Sequence, residues 1–179
     1  MMTIADLDRI VETSLRELAA ETLDKGWLGK EHDWVNRYVH RFLMKHCSPA
    51  GPMSPDQIGI EVAVAQPKPW RGGVRRDVVI WPKAGATCWA IPAGSRDQEW
   101  RPKNHPIAIQ EWKVHRPGHR NPGLKHQHKW LRKYTAWQRE VVAYAIEVDT
   151  SRPPCFLRCV RFHAGVPKPW LRVPPEVGS

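Results

Sequence analysis

The 179-residue chain predicts an α/β domain, a β-sheet flanked by helices, on three observations. Its segments switch between helical and strand periodicity in the order helix, helix, strand, strand, strand, helix, strand, strand. Its hydrophobic content of 41% suffices for a real core in one domain of this length. No apolar run approaches the roughly 20 residues that a membrane span requires.

Residues 3–24 predict an amphipathic helix. Thr3 and Asp6 supply start chemistry, Ile4, Leu7, Ile10, Val11, Leu15 and Leu18 recur at helical spacing, and Gly26 supplies a stop. A second helix is predicted over 31–46 from the stripe Trp34, Val35, Tyr38, Val39, Phe42 and Leu43, with Glu31 in its first turn. The Pro-, Ser- and Gly-containing stretch 47–56 reads as a loop. Strands follow at 58–65 and 74–82, joined by a turn containing two glycines. Residues 83–104 mix Gly, Pro and charge and read as a long loop or an inserted hairpin. The third strand is 106–115. A basic loop, 116–123, leads into a helix over 124–137 with Leu124, Trp130, Leu131, Tyr134 and Trp137 turned inward. Two more strands are predicted at 140–148 and 155–163. One domain thus spans 1–179, with a helical extension over 1–30, a core over 31–163 and an irregular Pro-rich tail over 164–179.

The charge is uneven. Lys and Arg exceed Asp and Glu by 28 to 18. Between Lys113 and Arg139 there are eight Lys or Arg and no Asp or Glu, whereas residues 1–24 hold six acids and two bases. An excess confined to one block favours a polyanionic partner such as nucleic acid. Arg116, Arg120, Lys125, Lys129, Arg132 and Lys133 are its candidate phosphate contacts, giving salt-sensitive, sequence-independent affinity. The bland alternative, a solvated helix face, usually mixes signs. Trp70, in the turn between the first two strands, is a candidate for exposed base stacking. The N-terminus lacks a basic head followed by an apolar stretch, so no signal peptide is expected. The four cysteines form no CxxC pair, which predicts reduced thiols in a cytoplasmic protein.

Residues 105–116, HPIAIQEWKVHR, carry the chemistry. Glu111 and Lys113 lie two apart, so on a strand they share one face, and Ile107 and Ile109 share it too. A mostly buried face ending in two charges suits a cleft better than a solvated edge. Asp77 opens the preceding apolar strand. If those strands pair, Asp77, Glu111 and Lys113 converge. Two adjacent carboxylates repel when ionised, and a hard divalent cation with oxygen ligands relieves the repulsion. A neighbouring ammonium can then stabilise a phosphate oxygen as charge builds.

Asp77 followed by Glu111-Trp112-Lys113 resembles the signature of the PD-(D/E)-x-K nuclease superfamily, across about 120 residues. The resemblance implies a restriction-endonuclease-like fold: a mixed sheet in the order helix–strand–strand–strand–helix–strand, here with an extra N-terminal helix. It implies a metal-dependent nuclease acting on nucleic acid, DNA in the first instance. Mg²⁺ or Mn²⁺ would be held by Asp77, Glu111 and the Trp112 carbonyl, with Lys113 as catalytic lysine, Glu31 assisting from the helix, and a homodimer as one working form. The chain departs from the pattern in carrying Arg76 where a proline would precede the aspartate, and in the long gap between Asp77 and Glu111. Asp97 and Glu99 lie in that gap, in a polar stretch read as lacking a strand.

Other residues read as structural. Gln110 alternates away from Glu111 and suits a hydrogen bond. Trp112 suits the core, and Glu61, on the first strand, ranks below Glu31 as an auxiliary ligand. Cys155, Cys159, His163, His126 and His128 do not match well-known zinc spacings. Two further functions stay open: a non-catalytic nucleic-acid-binding module of the same fold, and a basic subunit that docks on an acidic protein.

Overall fold

The computed structural model describes residues 2–48, 53–69, 72–90, 94–96, 99–101, 103–118 and 124–174. They form an α/β fold with three α-helices and a mixed six-stranded sheet. The helices are α1 (Ile4–Thr22), α2 (Glu31–Arg37) and α3 (Lys125–Trp137). The sheet contains β1 (Ile58–Ala65), β2 (Gly73–Ile80), β5 (Ala108–His115), β6 (Val142–Asp149), β7 (Phe156–His163) and β8 (Val166–Val173), in that spatial order. All neighbours are antiparallel except β5 and β6. A parallel pair needs a crossover, and α3 provides it. No helix is long and apolar enough among the described residues to cross a membrane.

The predicted insertion over 83–104 is a small hairpin, β3 (Trp89–Ala90) paired with β4 (Glu99–Trp100). The polar stretch around Glu99 therefore does contain a short strand, and Asp97 lies outside the described residues. The hairpin packs Trp89 on Trp100, with ring centres 5.0 Å apart. It leaves β2 and β5 in register as direct neighbours, Ile80 opposite Ala108 and Val78 opposite Gln110.

Helices α1 and α2 cover one face of the sheet through Leu7, Val11, Leu15, Trp34 and Tyr38, packed on Val78, Trp112, Tyr144 and Ile146. Helix α3 covers the other through Trp130, Leu131 and Tyr134, packed on Val79, Ile109, Ala143 and Ala145. Strand β6 lies in mid-sheet, buried on both sides, which is why its sequence is apolar almost without interruption. At the start of α1, the Thr3 hydroxyl accepts from the Asp6 N–H and the Asp6 carboxylate accepts from the Thr3 N–H, both at 3.1 Å. Two acids of α1 tie it to the next helical segment: Glu21 pairs with Arg37 and Arg41, and Glu17 with Lys45.

Two elements differ from expectation. The second helix is α-helical only to Arg37. It continues as a π-helical turn over Tyr38–Phe42 and a 3₁₀ turn over Leu43–His46. The tail is not irregular: Val166–Val173 is strand β8, at one edge of the sheet. Pro167 and Pro169 argued against a strand, but they are two residues apart on an edge, where a missing N–H costs no ladder bond.

Candidate active site

The site forms where β2 and β5 stop pairing. Their ladder ends at Val78 opposite Gln110, and the β1–β2 ladder omits the position of Glu61 and Asp77. Around this break, β2 turns over. Alternation would put Arg76 with Val78 and Ile80 on the α1–α2 side, yet its guanidinium lies 3.5 Å from the ring centre of Trp130 in α3. Asp77 turns the other way and lines a cleft of about 420 Å³ with Glu31 and Asn36 of the second helix and Glu61 of β1.

The gap in the ladder gives Asp77 its first partner. With no β2 carbonyl opposite, the Trp112 N–H donates to Asp77 Oδ2 at 2.6 Å. Lys113 Nζ sits 3.1 and 3.2 Å from the two carboxylate oxygens of Glu31. Three of the four predicted catalytic residues, Asp77, Lys113 and Glu31, thus meet at this break. Glu111 is adjacent but points to the α3 side, where Arg76 donates to its Oε1 at 2.9 Å. Both side chains of that ion pair are over 90% buried.

Burial governs the titration of the two acids. It lifts Asp77 to about 6; the charge of Glu31 adds to the rise, while the Trp112 N–H, Lys113 and Arg76 oppose it. It lifts Glu111 to about 7; Arg76 opposes that rise and Asp77 adds to it. Both folded-state values lie above the ordinary carboxylate values, so between pH 4 and 7 the folded chain binds more protons than the unfolded one. Stability therefore falls as pH rises through that window. Asp77→Asn removes one share of the loss. In chelator-containing buffer, its drop in unfolding free energy between about pH 4 and 8 should be smaller than that of the parent by about 2 kcal/mol. Equal drops in urea titrations would show that Asp77 is not held in this environment.

Trp112 is fully buried and packs on Tyr38 with ring centres 5.0 Å apart. Gln110 donates to the Tyr38 hydroxyl at 3.1 Å. Glu61 adopts a left-handed backbone, φ 51°, unusual for a residue with a side chain. Among the described residues, no group of three or more His, Cys, Asp or Glu side chains is gathered closely enough to hold a metal ion.

Arg76 is the residue that the sequence reading missed. It stood out only as the replacement for a proline, yet it is the buried counter-ion of Glu111. Its signal was an arginine beside an aspartate in an otherwise apolar strand, a charge that cannot enter the sheet without a partner.

Most of the basic block lies within the described residues. Along α3, Lys125, His126, Lys129, Arg132 and Lys133 are exposed and form one stripe, opposite the buried Trp130, Leu131 and Tyr134. Arg116 is half-buried just beyond β5. Arg120 lies outside the described residues, as does Trp70. Comparison with known proteins gives no relative: no family model matches the chain, and no curated protein or solved structure is significantly similar to it.

Proposed function

We propose that the protein is a metal-dependent nuclease hydrolysing phosphodiester bonds of nucleic acid, with a restriction-endonuclease-like core. The observation that carries the reading is the Trp112 N–H bond to Asp77, which joins the aspartate strand to the Glu111–Lys113 strand in spite of the insertion between them. The order α2, β1, β2, β5, α3, β6 supports it, since it repeats the helix–strand–strand–strand–helix–strand plan of that superfamily.

The donor set fits a hard divalent cation in kind. Asp77 Oδ1 and Glu111 Oε2 accept from no donor among the described residues, and both carboxyls are raised by burial, as acids lacking sufficient positive charge are. To hold Mg²⁺ or Mn²⁺ with Asp77 and the Trp112 carbonyl, Glu111 would have to leave Arg76 and turn from the α3 side toward the cleft. When bound, the ion supplies Lewis acidity and a more acidic water. Lys113 offers its ammonium at the mouth of the cleft, where it can orient a water and offset charge developing on the phosphate. Glu31 holds that ammonium in place. The lysines and arginine of α3, on the other face of the sheet, would take phosphates farther along the backbone.

The test is cleavage of plasmid, single-stranded DNA and RNA by purified protein, with Mg²⁺, with Mn²⁺ and with chelator. Cleavage should require metal. One observation favours a second reading, a non-catalytic nucleic-acid-binding module: Arg76 already neutralises Glu111. Steeply salt-dependent binding without cleavage in any metal would establish that reading instead.

A further inference from the structure

A cavity of about 640 Å³ lies at the other end of the sheet, where β2 ends and β5 and β6 begin. It is larger than the cleft beside Asp77. Among the described residues its walls carry Lys83, Arg101 and Lys103, all exposed, against the single acid Glu140. None of the three cations has a carboxylate partner among the described residues.

Aromatic rings frame the same cavity. Trp89, on its wall, is 40% exposed, and Trp137, at the end of α3, is 44% exposed. Trp137 stands edge-on to the cavity residue His105, with ring centres 5.0 Å apart. Ordinary packing leaves few tryptophans so bare; Trp89 lines the cavity, and Trp137, exposed where an inward place was expected, stands beside it through His105. The wall is tied down. The Arg101 N–H donates to the Cys88 carbonyl at 2.6 Å, and Asn104 Nδ2 donates to the Thr87 carbonyl at 2.6 Å.

Helix α3 follows the end of β5 that carries Glu111 and Lys113 and leads, on the sheet face opposite the Asp77 cleft, to the cavity at Gln138. The exposed basic stripe begins at Lys125, ten residues beyond the end of β5, and runs the length of the helix to Trp137. Thirteen residues at 1.5 Å each span roughly 20 Å. A phosphate backbone lying along the stripe would deliver its bases to Trp89 and Trp137.

The geometry points to a single-stranded nucleic-acid site: the cavity stacks unpaired bases on Trp89 and Trp137 while Lys83, Arg101 and Lys103 take the phosphates. Bases locked in a duplex cannot present their faces this way, so the site selects single strands over duplex. The inference rests on the nucleic-acid reading of the protein and adds the form of substrate that it holds.

The test uses the full chain in chelator, with fluorescence anisotropy of a labelled oligothymidylate of about 20 nucleotides and of a duplex of equal length. The parent should prefer the single strand. The double variant Trp89→Ala/Trp137→Ala should bind oligothymidylate about 10- to 100-fold more weakly and leave duplex affinity within about two-fold. Trp89→Phe/Trp137→Phe should retain most of the affinity, since a ring remains to stack. Unchanged oligothymidylate binding in the alanine variant would overturn the inference. So would equal losses on both ligands, a phenylalanine variant as weak as the alanine one, or a parent that binds neither ligand. Because binding is read without metal, a protein that prefers single strands through these tryptophans but never cleaves would sink only the catalytic reading. One that cleaves with metal, with both tryptophans dispensable, would sink only this one.

Discussion

Lys113→Ala is expected to lower metal-dependent cleavage by about 10²–10³-fold while leaving nucleic-acid affinity within about two-fold. Among the described residues the ammonium is the one cation within 3.2 Å of the Glu31 carboxylate, and its charge also bears on Asp77 and Glu111. In the proposed mechanism, its loss takes away a positive group that would offset negative charge as it develops. It should do little to the fold. Glu31 is about one-third exposed, so water can solvate it once the lysine is gone, and a partly exposed pair contributes at most about 1 kcal/mol. Activity and stability should therefore separate, with single-turnover cleavage falling and the thermal midpoint nearly unmoved. Cleavage by the variant at the parental rate would remove Lys113 from the mechanism. Glu31→Gln gives a companion measurement. It weakens the hold on the ammonium without removing it, so its loss of activity should be the smaller of the two.

Arg76→Ala should be the most destabilising single change at the site, by about 3–5 kcal/mol near pH 8. Two costs combine. Glu111 is left ionised and buried without its counter-ion, and the guanidinium packed over Trp130 is lost. The penalty has a ceiling, because Glu111 can take up a proton. Burial already holds it near neutrality, and removal of Arg76 raises it further. The destabilisation should therefore shrink when urea unfolding is repeated near pH 5. Glu111→Gln in the Arg76→Ala background should recover much of the loss at pH 8, since no buried charge then remains. A variant as stable as the parent at pH 8 would mean that the pair is not formed as described. Arg76→Lys keeps the charge but not the planar group over the indole, and should fall between parent and alanine variant.

Most of the architecture was legible because it rests on local periodicity. Thr3 and Asp6 marked the start of α1, and the runs around Val78, Ile109 and Ile146 marked strands that proved to be neighbours. The break in the second helix was also legible in principle. Its stripe repeats at four residues, Trp34, Tyr38, Phe42 and Val35, Val39, Leu43, whereas an α-helix repeats at 3.6. A wider turn keeps such a stripe facing the sheet, and the π-helical turn falls at Tyr38.

What escaped the sequence depends on distance in space. Arg76 and Glu111 are 35 residues apart, and no local pattern pairs them. The turning-over of β2 at Asp77, which exchanges the sides that Arg76 and Asp77 would take in phase with Val78 and Ile80, contradicts simple alternation and arises where the two ladders break. The tail was misread because proline was weighed as a strand breaker without regard to edge position.

The two edges of the sheet carry a consequence for self-association. On β8, Pro167 and Pro169 offer no N–H to an incoming strand. On β1, the left-handed Glu61 interrupts the row of groups that such a strand would follow. Neither margin can be extended by a regular strand from a second copy. A working dimer of this chain would have to join through its helices or loops, and its two clefts would be related by that contact instead of by a shared, continuous sheet.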